Sequence, residues 1–208
     1  MCGRYVVKNS VTKTSKLVKS AIQVEDTENF NAHPYQKLPV IKKYKNGNTL
    51  EALKWGLIPN WAKDKNFKAL INARLETIDE KVSFKKLVKN NRCVAVADGF
   101  YEWKREGQKK TPHYFFRKDS NPIFFAGIYE DDQFCLITEE AKENLSEIHH
   151  RQPVIINQTD INRYLNLELQ GSVFLKECSK PDLIFYEVSK DVNKPTNNTA
   201  SLIQKVSN

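Results

Sequence analysis

The sequence predicts an α+β fold with a mainly antiparallel sheet and flanking helices. Three observations carry that reading. Short strand signals crowd the middle of the chain, turn residues separate them, and the few helical patterns lie around them. The 208 residues fit one domain, assigned to 1–208, and a chain of this length buries enough surface to fold without a metal or a disulfide staple. Apolar residues at 40%, with only 7 Gly and 8 Pro, exclude disordered, collagen-like and low-complexity classes. No apolar run reaches the roughly 18 residues of a membrane helix, and the first twenty residues lack the apolar centre of a secretory signal. A soluble, cytoplasmic protein with no membrane partner is expected.

The strands are read in order over 4–7, 37–44, 49–55, 93–97, 100–104, 113–117, 123–129, 133–138 and 183–188. Asn46-Gly47 between the second and third is a type I′ hairpin signal, and Glu106-Gly107 and Asp131-Asp132 mark later turns. Helical spacing of apolar residues points to helices over 11–21, 82–89, 139–148 and 159–165, with Ser10 and Thr159 as candidate caps. The stretches 23–34 and 58–66 are polar and irregular, and either could wall a binding groove.

Lys+Arg 33 against Asp+Glu 25 leaves a formal net charge of +8. Such an excess suits a polyanion, because cations that neutralise phosphates release condensed counterions, and it also suits plain solubility. Four cysteines, Cys2, Cys93, Cys135 and Cys178, show no paired spacing, and the four His complete no zinc-finger pattern. No metal, cofactor or disulfide is expected. Cys93 and Cys135 lie in apolar runs and read as small buried hydrophobes, whereas Cys2 sits at the extreme terminus, where side chains are usually exposed.

Met1-Cys2-Gly3-Arg4 has a small second residue, which permits removal of the initiator and leaves Cys2 as a free amino terminus. Such a residue carries an amine of pKa about 7.7–8.0, so a useful fraction is neutral at pH 7. That amine can attack an aldehyde, and the neighbouring thiol can close a five-membered thiazolidine. Asn72 and Arg74 stand two apart, on one face of an extended segment. Glu102 is set among aromatics in Asp98-Gly99-Phe100-Tyr101-Glu102-Trp103, a setting that raises a carboxyl pKa. His149 and His150 lie beside Arg151, while Asn31, His33, Pro34, Trp55 and Trp61 are groups of the kind that stack on or bond to bases. Each has an ordinary structural alternative: a strand Glu facing water, a helix-end His, a core Trp.

In this order the motifs resemble one family, the SOS-response-associated peptidase (SRAP) family of abasic-site-shielding proteins. The resemblance is carried by Met-Cys-Gly-Arg at 1–4, Asn-Ala-His-Pro at 31–34, Trp-Gly-Leu-Ile-Pro at 55–59 and Asn-Ala-Arg-Leu-Glu-Thr at 72–77. It continues through Ala-Asp-Gly-Phe-Tyr-Glu-Trp at 97–103, Phe-Ala-Gly at 125–127, Ile-Thr-Glu-Glu-Ala at 137–141 and His-His-Arg-Gln-Pro at 149–153. It implies a single SRAP domain with a sheet or barrel-like core that bonds abasic sites in single-stranded DNA covalently through Cys2, acting at damaged DNA near the nucleoid. By the same resemblance Asn72 positions the amine and the opened sugar, Glu102 shuttles protons, and His149 is the acid/base group for opening the deoxyribose ring. The spacing His-x-Arg-x-Pro selects His149 over His150. Arg4, Arg74 and Arg151 would contact DNA backbone or support the site, and Asn31, Pro34, Trp55 and Thr138 would line the groove. The family name implies peptidase-like self-processing that exposes Cys2. Gln152 and Tyr35 depart from the family's usual Met or Arg and Thr, and both bear on groove shape rather than chemistry.

Two other readings share these residues. One is a thiol peptidase using Cys2, His149 and Glu102 on protein substrates. The other is a non-covalent single-strand binding module in which Cys2 is incidental.

Overall fold

The structure, a computed structural model, describes residues 2–15, 24, 28–45, 47–64, 66–178 and 180–206. Its strands begin with β1 (Tyr5–Val7), β2 (Asn29–Ala32), β3 (Lys37–Tyr44), β4 (Gly47–Trp55), β5 (Asn72–Arg74), β6 (Arg92–Ala97) and β7 (Gly99–Glu106). They continue with β8 (Lys109–Arg117), β9 (Ile123–Glu130), β10 (Gln133–Glu140), β11 (Arg151–Pro153), β12 (Ile155–Ile156) and β13 (Leu183–Glu187). Short helices α1 (Ser10–Thr14), α2 (Lys85–Asn90), α3 (Glu143–Ser146), α4 (Ile161–Leu165) and α5 (Gly171–Glu177) lie between them.

The larger sheet closes on itself. β3 pairs with β4 and β6, β6 with β9, and β9 with β10, all antiparallel, and β10 returns to β4 in parallel through Gln133↔Lys54 and Phe134↔Trp55. Closure removes sheet edges, and apolar side chains are buried on both faces, Val40, Phe125 and Leu136 on one and Leu50 and Val94 on the other. The expected barrel-like core is present. The chain leaves β4 at Gly56, whose φ of +131° is open to glycine and strained for other residues. After a loop pinned by the Leu57↔Leu70 bridge, β5 takes over beside β10, with Asn72 opposite Leu136. That relay sets Asn72 at its position.

The second sheet runs β13-β8-β7-β1-β2 and lies between two cores. The period-2 alternation of strands sorts its side chains. Tyr5, Phe100 and Phe115 face the barrel, where Phe125 meets Tyr5 and Phe100 at centroid distances of 5.6 and 5.7 Å. Val6, Tyr101 and Tyr114 face the other way, onto Val188, Val192 and Leu202 from a late segment of the chain. A Cβ at Gly99 would collide with the Tyr114 ring, so this turn position admits only glycine.

Several expectations need correction. Residues 29–32, placed in an irregular stretch, form β2, where a bulge against β1 lets Phe30 and Ala32 join different cores while Asn31 bonds the late segment. The helix expected over 139–148 begins only at Glu143, since Glu139 and Glu140 extend β10 and pair with Gln152 and Arg151. Ser10 and Thr159 cap nothing through their side chains. At the first of these helices the Asp98 carboxylate accepts from the backbone N–H groups of Lys8, Asn9 and Ser10 at 2.6, 3.1 and 3.1 Å. α5 was not expected at all. Of the helix expected over 11–21 only 11–14 is seen as helix; 16–20 and 21 lie outside the described residues, as does Asn46 of the hairpin signal.

Candidate active site

β1 inserts between β7 and β2, pairing Tyr5 with Phe100 on one side and with Ala32 on the other. The start of the chain is therefore held inside a sheet, and Cys2 has no exposed surface, against the expectation for a terminal residue. Its thiol donates weakly to the Arg4 carbonyl at 3.9 Å, and its own carbonyl accepts from Asn72 Nδ2 at 3.0 Å. Burial, reinforced by the nearby Glu102 charge, pushes the Cys2 thiol pKa well up, so the sulfur stays protonated at neutral pH. Asn72 Oδ1 is buried and accepts no hydrogen bond among the described residues.

Glu102 sits on β7 directly across from His113 of β8 and is 2% exposed. Burial raises its carboxyl to about 7, against the opposing pull of a backbone N–H at Trp103. A strand Glu facing water is thereby excluded. His149 follows α3, and its Nδ1 lies 3.0 Å from both the backbone N and the carbonyl O of Arg151, which fixes the ring. Burial lowers its pKa, so the imidazole is mostly neutral at pH 7.

Glu102 and His149 line one cleft of about 370 Å³ with Arg74, Trp103, Arg105, His150 and Arg151. The His149 and His150 rings lie 4.4 Å apart, and Trp103 is braced by its indole N–H donating to Asn193 Oδ1 at 2.7 Å. A second cleft of about 440 Å³ lies on the other side of Arg74, between Leu70, Asn72, Lys81 and Phe84. The exposed Arg74 guanidinium thus stands where the two meet, in keeping with a backbone-contacting role. Trp103, Arg105 and His150 were not assigned as site residues. The i,i+2 spacing of Trp103 and Arg105 on a strand was the available signal.

Other expected groove residues are placed differently. Trp55 is fully buried, tilted against Tyr5 at 5.0 Å and donating from its indole to the Ile71 carbonyl at 2.9 Å. Thr138 is likewise buried. Asn31 donates through Nδ2 to the carbonyls of Val192, Lys194 and Asn197 at 3.3, 3.1 and 2.9 Å. Arg4 spans Asn31 Oδ1 and the Val192 carbonyl at 2.7 and 3.0 Å. Trp55, Thr138 and Asn31 are buried in aromatic or hydrogen-bonded packing and act as supports, whereas Arg4 is half-buried. Pro34 remains half-exposed at the exit of β2.

Arg151 is also a support. Its guanidinium meets both Glu76 oxygens at 2.7 and 2.9 Å and the Thr138 carbonyl at 2.7 Å, and it is 8% exposed. Glu76 is exposed and keeps its hydration, so the loss falls on the buried side, where the Thr138 carbonyl and hydroxyl give up their partner. Arg151→Ala is expected to cost about 1–2 kcal/mol of stability, read by denaturant unfolding, and Arg151→Lys to recover little because the two-pronged geometry is lost. An unchanged midpoint for Arg151→Ala would contradict this.

Fold and site define a class: an α+β protein whose second residue, a cysteine, is buried just ahead of a sheet strand beside a buried carboxyl group. The family model described as SOS response associated peptidase (SRAP) matches residues 1–195, and the chain belongs to that family. It is 35% identical over 222 residues to the abasic site processing protein YoqW of Bacillus subtilis, covering 98% of this chain and 99% of that one. To the abasic site processing protein YedK of Escherichia coli it is 32% identical over 231 residues, with 99% and 100% covered. A solved protein from Bacteroides thetaiotaomicron shares the fold with a TM-score of 0.84 at 23% identity, covering 99% of this chain and 100% of its own. No helix among the described residues is long and apolar enough to cross a membrane.

Proposed function

We propose that this protein senses and shields abasic sites in single-stranded DNA by forming a covalent thiazolidine link through Cys2 once Met1 is removed. The observation that carries this reading is the seating of Cys2: its carbonyl is held by Asn72 and its thiol is kept protonated beside Glu102. A protonated thiol leaves the amine as first nucleophile. The neutral α-amine of processed Cys2 adds to the C1′ aldehyde of the ring-opened deoxyribose, giving a carbinolamine. Glu102, with a pKa near 7, donates its proton to the departing hydroxyl, and water leaves to form a protonated imine (an iminium). The carboxylate so formed takes the Cys2 thiol proton, and sulfur adds to the iminium carbon, closing a five-membered ring with a neutral N–H and leaving Glu102 protonated again. No aldehyde then remains to undergo β-elimination.

Asn72 Oδ1 supplies an acceptor for an amine N–H at this point, since it is buried without a donor among the described residues. His149, tethered through Nδ1, acts through Nε2 on the sugar hydroxyl during ring opening. Arg74 and Arg105, exposed at the cleft, meet the phosphates. An abasic site has no base edge to read, so selectivity rests on the aldehyde and on backbone shape.

The thiol-peptidase reading needs a thiolate, and the elevated pKa of the buried Cys2 sulfur weighs against it. The relatives' names likewise favour abasic-site processing over proteolysis. The test is a single-stranded oligonucleotide carrying one abasic site, mixed with processed protein and resolved in SDS. A denaturant-resistant band with that strand, and none with intact DNA of the same sequence, is expected. Cleavage of a peptide substrate without such a band would overturn the proposal in favour of the peptidase.

A further inference from the structure

Tyr35 is an exposed aromatic residue in a conformation that costs energy. It has a φ of +76°, in the left-handed region, and is 61% exposed. A non-glycine residue is held there only when its surroundings over-determine it, and such positions gather at ligand sites. The turn at 33–36 is tied down accordingly. Tyr35 N–H donates to the Trp55 carbonyl at 2.7 Å, Trp55 N–H donates to the Gln36 carbonyl at 2.9 Å, and Gln36 Oε1 accepts from His33 N–H and Asn29 Nδ2 at 3.1 Å each. One edge of the ring rests over Gly56, where a Cβ would stand 3.7 Å from it.

The turn's place in the sheet gives the ring its use. β1 is antiparallel to β2 with Tyr5 opposite Ala32, so continuing the pairing runs Gly3 and Cys2 toward the 33–36 turn. On the other side β7 runs Trp103 toward Cys2, after Tyr101 N–H donates to the Arg4 carbonyl at 3.0 Å. Continued past Tyr5, the two registers direct Cys2 between Trp103 of β7 and the 33–36 turn.

We propose that Tyr35 is a specificity-determining residue: a rigid platform that stacks the base of one nucleotide adjoining the abasic site. This rests on the function proposed above. A lesion without a base offers no stacking of its own, so a flanking base must supply it, and an aromatic face accepts any base but gains most from a purine. The platform therefore gives this chain a preference for a purine on one flank of the lesion.

The test uses processed full-length protein, oligonucleotides with a tetrahydrofuran abasic analogue, and 2-aminopurine placed on either flank. Tyr35→Gly removes the ring while suiting the left-handed backbone, and its melting temperature is expected to equal or exceed that of the parent. On one flank only, binding should change the 2-aminopurine emission. Tyr35→Gly should abolish that change and weaken binding about 10-fold, whereas Tyr35→Trp should retain both. In parallel, aldehyde-bearing strands should link faster with a purine than with a pyrimidine on that flank, and equally with Tyr35→Gly. Identical emission and affinity for parent and Tyr35→Gly, with the covalent band still forming, would overturn the platform and leave the function standing. Loss of the band from the parent protein would overturn the function, and the platform with it.

Discussion

A chain that keeps any residue ahead of Cys2 is expected to form no covalent adduct with an abasic strand. An amide-bound nitrogen is not nucleophilic, and no other group at the site combines an amine and a thiol on adjacent carbons. A non-removable N-terminal tag should therefore reduce the SDS-resistant band to background, while Cys178→Ser, at a half-buried position, leaves it intact. Cys2→Ser separates the two functional groups. It retains the amine and should give a link that survives only after borohydride reduction of the imine, because the hydroxyl does not close the stable sulfur ring. A full-strength, unreduced adduct from the tagged chain or from Cys2→Ser would show that another nucleophile does the chemistry. Mass spectrometry of the purified protein, reporting loss of Met1, belongs beside both measurements.

Glu102→Gln should slow linkage about 10²–10⁴-fold, the usual contribution of a positioned acid/base group, with far smaller loss of non-covalent affinity for the tetrahydrofuran strand. In the parent protein the acid-dependent dehydration should weaken as pH rises through about 7, where the buried carboxyl gives up its proton. The same shift has a thermodynamic counterpart. Folded Glu102 holds its proton to about pH 7, whereas an unfolded chain releases it near the ordinary 4.5. Between those values the folded state binds more protons, so stability falls as pH rises across that window and falls no further above it. Glu102→Gln removes the penalty. It should stabilise the protein by about 1–3 kcal/mol at pH 8 and by little at pH 4. Equal loss of binding and linkage, or a destabilised variant at pH 8, would contradict the role given to this residue.

The barrel was legible where periodicity and turn chemistry agreed. Strands β3 and β4 carry buried apolar runs on either side of the turn before Gly47, and β9 and β10 flank Asp131, which adopts the positive φ of +52° that such a turn demands. β2 was not legible, because Asn29 and Asn31 are poor strand formers, and what satisfies Asn31 is tertiary: the carbonyls of a segment some 160 residues later. α5 opens on Gly171-Ser172 with no side-chain cap, so its start gave no signal. Glu139 and Glu140 suggested a helix start by composition, but Glu139 is buried in β10, held by Gln152, Lys142 and Lys180.

Of the site, the residues whose chemistry is unusual for their position stood out: a cysteine at position 2, and a carboxylate set among aromatics. What motifs conceal is which side of the structure a residue faces. Trp55, Thr138, Asn31 and Arg151 occur in the right segments yet serve as supports, since their side chains are consumed by aromatic contacts, backbone carbonyls and Glu76. Arg105 carries no distinguishing signal, because it is one cation among Lys104, Lys109 and Lys110 around a turn.

The clamp of Arg4 and Asn31 upon residues 192–197 also sets an order in time. A ribosome extrudes the nucleophile's strand first and its anchorage among the last, with well over a hundred residues of translation in between. Until that anchorage emerges from the exit tunnel, the nascent amino terminus is not yet held in its sheet, so on the function proposed above Met1 is removed before the fold closes over Cys2.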